Sequence, residues 1–484
     1  MRTAVKGSII AAMLLMAASV TAQDNARALT LDEAMSLTFA NNPALLASAY
    51  EQRAAEQERR AAIGLRMPKI NVMGTYAYLG KDIGLDLNDK KGAVNKMAGD
   101  ILGSGMVPPA MIPTIQGLLT PLMSADWFLQ LQDQSLGFVG GEVTMPIFLG
   151  GKINAANRAA RINQQSANAV GAQTRNALVS ELVERYYGLA LAAQVVTVRQ
   201  QVVDGVRRHL NDAIALEKNG MIALSERLYV EYKMTEAERE LANAKLQVQT
   251  ISSALNNTLC EQDTFLPVST MFTLSQIEDL DYYQQLAENH NPLLSQVDLK
   301  RKLAIEGVKV QRADFMPQIA AMGGASFYNY QVTGMLPRWA VGVGVNLKIF
   351  DGLNREFKYS AAKQTVRRVA VLKDKASEDI SVLIEKLYNQ MNNYANQIVS
   401  INSSITFAEE YLKVKNAAFL EGMSSSSDLI DAELNLAKVK TERMQAAYNY
   451  DLLLAQLLEA AGISDEFLAY TRRIDAQQIT FDKE

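Results

Sequence analysis

The chain is poor in the residues that build catalytic and metal sites. Its 484 residues include one cysteine and two histidines. The single cysteine, Cys260, excludes an intrachain disulfide, and we expect it to be a small buried residue. His209 and His290 are distant in sequence and leave almost no material for a zinc site or a histidine-based catalytic system. These scarcities disfavour most enzyme classes, and we expect no cofactor and no switching role for His209, which is expected to be solvated or packed.

The chain also lacks an excess of charge of either sign. Lysine and arginine total 48 and aspartate and glutamate 52, so the formal net charge is −4 and provides no basic footprint for nucleic acid. After the N-terminal segment, no stretch has 18 consecutive apolar residues. A helix therefore cannot cross a membrane there, and any membrane role must use strands.

The first 22 residues are typical of an export signal. Arg2 and Lys6 precede an apolar run over residues 9–18, and small residues lead to a cleavage point before Gln23. This apolar run is too short to span a bilayer, which takes about 20 residues. We therefore predict a signal peptide over residues 1–22 and export of the mature chain.

The strongest organisational signal is an internal repeat. Three dipeptides recur with an offset of 249: Asn42-Pro43 as Asn291-Pro292, Met67-Pro68 as Met316-Pro317, and Met73-Gly74 as Met322-Gly323. Two later dipeptides recur with an offset of 202: Ile147-Phe148 as Ile349-Phe350, and Gly220-Met221 as Gly422-Met423. The first copy therefore carries an insert of 47 residues, in a stretch rich in glycine and proline that predicts an outer loop over 80–136.

Each copy is predicted to contain a helix, a pair of strands and two long helices. Repeat 1 covers residues 23–265, with strands over 69–79 and 137–149 and long helices over 151–219 and 222–262. Repeat 2 covers residues 266–462, with strands over 317–331 and 338–350 and long helices over 353–420 and 424–462. A C-terminal tail follows over 463–484.

The predicted strands and helices have distinct hydrophobic periods. The strand over 338–350 alternates apolar residues with small or polar ones, which is a weak signature of a transmembrane barrel. The first long helix of each copy would reach roughly 100 Å at 1.5 Å per residue. Apolar residues between Ile380 and Leu412 recur close to the coiled-coil period of about 3.5, so we expect antiparallel helical hairpins with lateral partners.

Four strands per chain cannot close a barrel, and lipid forbids unpaired strand edges. Two chains would supply eight strands, whose interior side chains nearly fill, whereas three would supply twelve and leave a water-filled lumen. Gly140, Gly342 and Gly344 on the inner face favour the wider barrel. We predict an α+β membrane protein. We expect it to be a homotrimer with a 12-stranded β-barrel in the lipid bilayer, continued by an antiparallel α-helical coiled-coil tunnel.

These motifs, in this order and present twice, resemble the TolC family of outer-membrane efflux proteins. The resemblance covers essentially the whole mature chain and rests on the Asn-Pro pairs, Pro68 and Pro317, the run from Pro146 to Gly151, and Gly422 with residues 427–433. It implies a channel-tunnel in the outer membrane of a Gram-negative bacterium, projecting into the periplasm. The channel would be the passive, gated exit duct of a tripartite efflux or type I secretion system, with a periplasmic adaptor protein and an inner-membrane pump as partners.

The resemblance also suggests site residues. Asp428 and Asp431 match acidic residues that line the narrow periplasmic entrance, where three chains would present six carboxylates and favour cations. Asp428 has the alternative of being an ordinary carboxylate at a helix N-terminus. The hairpin tips, Gly220-Met221 and Gly422-Met423, are the expected contact with the adaptor. Phe419 and Ser424 stand where the family has a basic-aromatic latch, so the sequence leaves the lock of the entrance undefined.

Two departures and two alternatives accompany this interpretation. The second copy has Lys348 where the first has Pro146, and Leu353 where the first has Gly151. The alternatives are a periplasmic coiled-coil scaffold or adaptor without a pore, and an exported enzyme with long helical arms.

Overall fold

A computed structural model describes residues 27–332, 337–421 and 423–480. The predicted signal peptide and Gly422 lie outside these residues. In chain order the elements are β1 (Arg27–Leu29), α1 (Leu31–Asn41), α2 (Pro43–Ile63), β2 (Lys69–Tyr78), β3 (Ile83–Asp86), α3 (Lys91–Gly103), α4 (Ile112–Ser124), β4 (Phe128–Gln132), β5 (Ser135–Leu149), α5 (Lys152–Lys218), α6 (Leu224–Leu259), β6 (Phe265–Pro267), β7 (Met271–Leu274), α7 (Leu280–His290), α8 (Pro292–Ala313), β8 (Gln318–Tyr330), β9 (Trp339–Asn346), α9 (Asn354–Leu420), α10 (Ser426–Ala461), α11 (Phe467–Thr471) and β10 (Ala476–Ile479).

The chain forms two compact units, and each draws on both copies of the repeat. The strand unit comprises the described residues of 59–159 and 306–363, and the helical unit comprises the other described residues. The sequence repeats are therefore not the units of packing. Among the described residues, no helix has the combination of length and apolar character needed to span a bilayer.

The strand unit is built on a sheet with the order β2-β5-β8-β9, in which every described pairing is antiparallel. The strands β2 and β9 form its edges. Alternate residues on these edge strands are large, apolar and strongly exposed: Ile70, Val72, Tyr76, Tyr78, Trp339, Val341, Val343 and Val345. On the other face, the Asn71 amide donates to the Glu142 carboxylate over 2.9 Å. The sheet thus has one apolar face and one with small and polar residues.

Strand β9 is shorter than the expected span of 338–350. It ends at Asn346, which pairs with Gln318, the first residue of β8, so no strand is available beyond it. The Arg355 guanidinium instead donates to the carbonyls of Lys348 at 2.6 Å and Ile349 at 3.0 Å. A side chain therefore satisfies backbone groups that a sheet partner would otherwise satisfy.

The junctions from strand to long helix have matching backbones. Gly150 and Gly151 have φ values of 62° and 89°, and the corresponding Gly352 and Leu353 have 72° and 64°. Glycine adopts this left-handed region without the steric cost of a Cβ atom, whereas leucine does not. The second copy therefore keeps the turn with a strained leucine.

The stretch predicted as a loop over 80–136 contains regular structure. The antiparallel strands β3 and β4 form its stem, and α3 and α4 lie between them. The Asn88 amide donates to the carboxylates of Asp86 and Asp126, each over 2.7 Å. Its oxygen accepts from the Trp127 amide at 3.1 Å, so one side chain closes the stem.

In the helical unit the repeated Asn-Pro pairs have a common role. The Asn42 side chain donates to the Thr258 carbonyl over 3.0 Å, and the Asn291 side chain donates to the Ala460 carbonyl over 2.7 Å. Each asparagine oxygen also accepts from a backbone amide in the first turn of the following helix, as a helix cap does. The motif thus joins the start of one helix to the end of another.

Short strands complete this unit. Strand β1 pairs in parallel with β6, and β10 pairs antiparallel with β7. The predicted C-terminal tail therefore contributes α11 and β10. Cys260 is exposed rather than buried, because it ends α6 in the left-handed conformation, with φ of 57°.

Candidate functional site at the hairpin tips

The first hairpin tip joins α5 to α6. Gly220 has φ of +67°. Its amide donates to the Glu217 carbonyl over 2.8 Å, and the Met221 amide donates to the Leu216 carbonyl over 2.9 Å. This arrangement satisfies the last carbonyls of α5 and requires a left-handed residue, which glycine supplies. Met221 is 70% exposed and forms the apolar end of the tip.

An ion-pair bridge braces the first tip. The Arg227 guanidinium lies 2.7 Å from the Glu217 carboxylate and 2.7 Å from the Glu231 carboxylate. It therefore connects the end of α5 to the first two turns of α6.

The second tip, between α9 and α10, repeats one backbone hydrogen bond of the first. The Met423 amide donates to the Ala418 carbonyl over 2.8 Å, as Met221 does in the first tip. The Ser425 hydroxyl accepts from the Asp428 amide at 3.2 Å and caps α10. Met423 is 72% exposed, so both tips present a methionine to solvent.

The two candidate entrance carboxylates differ in their surroundings. The Asp428 carboxylate lies 3.1 Å from the Lys415 ammonium and accepts from the Ser424 hydroxyl at 3.0 Å. Lys415, helped by Ser424, holds the pKa of Asp428 below its ordinary value. Asp431, one turn further along α10, is exposed and has no ion-pair partner among the described residues. Only Asp431 therefore presents an uncompensated negative charge.

The two hairpins meet behind the tips. The His209 ring of α5 lies edge-on to the Phe419 ring of α9, with centroids 4.8 Å apart. His209 is 4% exposed, and its Nε2 has no hydrogen-bond partner within the part of the chain that the structure describes. Burial lowers the pKa of His209. Of the two surroundings expected for this histidine, solvated or packed, the structure shows the packed one.

A second buried polar group lies at the same place. Oε2 of Glu433, on α10, is buried and has no partner among the described residues. The carboxylate rests against Gly205 of α5, where a Cβ atom would collide with it. Burial raises the pKa of Glu433, and Arg208 partly offsets this. His209 and Glu433 both line a cavity of about 580 Å³.

No metal site accompanies these groups. Within residues 27–332, 337–421 and 423–480, no three histidine, cysteine, aspartate or glutamate side chains are grouped so as to hold a metal ion. The tip region therefore offers carboxylates, methionines and an inter-hairpin contact.

Two segments of the chain, residues 120–260 and 283–463, match the family described as outer membrane efflux protein. Together they cover more than half of the chain. The chain belongs to the outer membrane efflux protein family.

Two similar proteins have different names and match different lengths of this chain. The alkaline protease secretion protein AprF of Pseudomonas aeruginosa is 24% identical over 214 residues, which cover 41% of this chain and 43% of AprF. The cobalt-zinc-cadmium resistance protein CzcC of Cupriavidus metallidurans is 25% identical over 339 residues, covering 68% of this chain and 76% of CzcC. The chain thus matches less than half the length of AprF.

The fold is also that of a solved outer membrane channel. The Campylobacter jejuni CmeC outer membrane channel superposes with a TM-score of 0.70 at 14% identity, covering 90% of this chain and 86% of CmeC. The TolC-like family and the location in the outer membrane, both predicted from the sequence, are confirmed. Membership of the outer membrane efflux family favours a channel protein over the scaffold and enzyme interpretations.

Sequence reasoning found the tips but missed the contacts behind them. Lys415, Phe419 and Glu433 carry no local signature, because each acquires its environment from another helix or from across a turn. For Glu433 the sequence did contain one signal, the loss of a basic partner. Its equivalent in the first copy, Glu231, has an arginine four residues earlier, whereas Glu433 has Leu429 at that position.

Proposed function

We propose that this outer membrane efflux family member is a passive exit duct, built as a homotrimer and gated at its periplasmic end. The sheet of the strand unit supports this proposal most directly. Its edge strands, β2 and β9, need hydrogen-bond partners in lipid, and four strands are too few to close on themselves. Three copies would pair β9 of one chain with β2 of the next and surround a water-filled lumen.

The sheet faces fit this arrangement. The exposed apolar residues of β2 and β9 would face lipid, with Tyr76, Tyr78 and Trp339 near the membrane interface. Glu142 and Asn71, on the opposite face, would line the lumen. Alternation of apolar and polar residues along each strand is the pattern that such a wall requires.

The cargo would be small molecules or polypeptides delivered by a tripartite efflux or type I secretion system. AprF is named for secretion of a protease and CzcC for resistance to metal ions. Because relatives of similar identity have such unlike names, we assign the choice of cargo to an inner-membrane pump rather than to this duct. A periplasmic adaptor protein would join the two.

The hairpin tips would dock the adaptor. Met221 and Met423 are exposed at equivalent positions, and methionine is a flexible apolar residue suited to adaptable contacts. Gly220 sets the geometry of the first tip, and the sequence has Gly422 at the equivalent position of the second.

Asp431 would determine ion selectivity at the entrance. A trimer presents three copies of this exposed carboxylate, and a ring of carboxylates concentrates cations. Asp428 would contribute less, because Lys415 compensates its charge. This reduces the six-carboxylate ring expected from the sequence to three effective charges.

The trimer is tested on the purified full chain in detergent. Light scattering should give the mass of three protomers, and the protein should conduct ions across a planar bilayer. A monomer or dimer, or a trimer that never conducts, would contradict the duct.

The entrance is tested by comparing Asp431→Asn with the double substitution Asp428→Asn/Lys415→Gln in the same bilayer. We expect Asp431→Asn to reduce cation selectivity and block by multivalent cations several-fold, because it removes an uncompensated charge. The double substitution removes both charges of the Asp428–Lys415 ion pair, so it should change both properties only slightly. Equal effects of the two variants would remove the distinction between a free and a compensated carboxylate.

A further inference from the structure

The contact between the two hairpins contains a buried titratable side chain, His209. His209 of α5 is only 4% exposed, and its ring packs on Phe419 of α9. Nε2 has no hydrogen-bond partner among the described residues. A neutral imidazole can be buried in this contact at little cost, as an aromatic ring can. An imidazolium would instead bury a positive charge that has no hydrogen-bonded partner at Nε2.

We propose that His209 holds the two hairpins together only while it is neutral, so that acidification loosens the periplasmic entrance. This rests on the proposed gated duct and supplies the lock that the sequence left undefined. It also revises the sequence-based expectation that His209 is not a switch.

Three helices contribute charged side chains to the cavity that His209 lines. These side chains are Arg208 and Asp212 on α5, Glu409 and Lys413 on α9, and Glu433 on α10. Asp212 favours the protonated histidine and Arg208 opposes it, and burial outweighs both. The packed arrangement therefore binds the His209 proton less well than an open arrangement would.

The direction of the pH effect follows from proton linkage. The pKa of His209 in the packed state lies below its ordinary value of 6.5. The contact is therefore fully formed above that value and weakens as the pH falls from 6.5 toward the lowered pKa. Each pH unit between these two values corresponds to about a tenfold weakening.

Glu433 titrates in the opposite sense. Burial raises its pKa above the ordinary 4.5, so the packed state favours the protonated carboxyl and is weakened when the pH rises through the raised value. Acid therefore relieves one cost at Glu433 while it creates another at His209. Separate substitutions are required to resolve the two.

The chain offers a matched control, because its other histidine is His290. This residue is exposed at the C-terminal end of α7. Four full-length proteins in detergent are compared: wild type, His209→Phe, His290→Gln and Glu433→Gln. His209→Phe keeps an aromatic ring against Phe419 and cannot be protonated, and His209→Gln serves in its place if it fails to fold.

Hydrogen exchange is measured for peptides from the ends of α5 and α9 at about pH 7.5 and about pH 5.5, a range in which histidine titrates. Rates are corrected for intrinsic exchange at each pH. Wild type and His290→Gln should lose about tenfold in protection for each pH unit that separates the packed and open pKa values. His209→Phe should lose almost none, and Glu433→Gln should lose more than wild type.

An acid response in His209→Phe equal to that of wild type would overturn the proposal, as would its disappearance in His290→Gln. Bilayer conductance at neutral pH tests the duct separately. If no protein conducts, the proposed function fails, whereas the exchange data still decide whether His209 controls the hairpin contact.

Discussion

The two hairpins carry the same residue at one position and surround it differently. Glu231 in the first hairpin forms a 2.7 Å ion pair with Arg227, four residues earlier. Glu433 stands at the equivalent place in the second hairpin, but Leu429 replaces the arginine and the carboxylate is buried. The comparison teaches that a repeated glutamate does not imply a repeated function, because its neighbours determine its charge.

The first long helices of the two copies, α5 and α9, also differ at matching positions. In α5, Gly205 leaves room for the Glu433 carboxylate and His209 follows four residues later. The equivalent residues in α9 are Phe407 and Tyr411, whose rings stack with centroids 5.8 Å apart and remain exposed. At this position α5 therefore accommodates a side chain of α10, whereas α9 exposes two aromatic rings to solvent.

The largest expected difference between the copies lies at the junction of strand and helix. Arg355 is replaced at the equivalent position of the first copy by Ile153. Arg355→Met should lower the free energy of unfolding by about 3–5 kcal/mol, because it leaves the Asp351 carboxylate without its ion-pair partner and two carbonyls without their donor. Denaturant unfolding in detergent measures this, and the control Ile153→Met should cost less than about 1.5 kcal/mol. Equal costs would show that the copies are braced alike.

An exchange of residues at the left-handed turns should have a smaller effect. Gly151→Leu should cost about 1–2 kcal/mol, because leucine is strained where φ is positive. Leu353→Gly should remove that strain and stabilise the protein by up to about 1 kcal/mol, since the flexibility of glycine offsets part of the gain. Thermal unfolding of both variants tests the comparison. A destabilising Leu353→Gly would mean that the leucine side chain contributes packing that outweighs its backbone strain.

The smallest effect is expected at the tip bridges. Arg227→Gln should lower stability by about 0.5 kcal/mol, because this bridge is partly exposed to solvent. Lys415→Gln should do less at neutral pH, since Asp428 keeps its bonds to Ser424 and Ser425. Hydrogen exchange measured at each tip compares the effects of the two variants. A global destabilisation by either variant would contradict a local bracing role.

Local and repeated features of this fold could be predicted from the sequence. Asn42 and Asn291 stand before prolines in both copies, and the structure gives them equivalent hydrogen bonds. The long helices follow from apolar periodicity without internal proline. The end of α5 could likewise be predicted from Gly220, because few residues other than glycine adopt its backbone conformation.

The remaining features depend on contacts distant in sequence. Strands β1, β6, β7 and β10 have only three or four residues each, too few for a recognisable alternation. The contact between His209 and Phe419 joins different helices and leaves no periodic trace. The end of β9 was missed because it depends on where β8 begins.

The pairing of β10 with β7 sets an order of events during folding. A polypeptide threaded across a membrane N-terminus first delivers β7 long before β10, the last strand of the described chain. The small sheet beneath Tyr450, whose hydroxyl accepts from the Leu274 amide at 3.2 Å, cannot be complete until that final segment has arrived. A chain that ends before β10 therefore lacks this strand and leaves the paired edge of β7 without its hydrogen-bond partner.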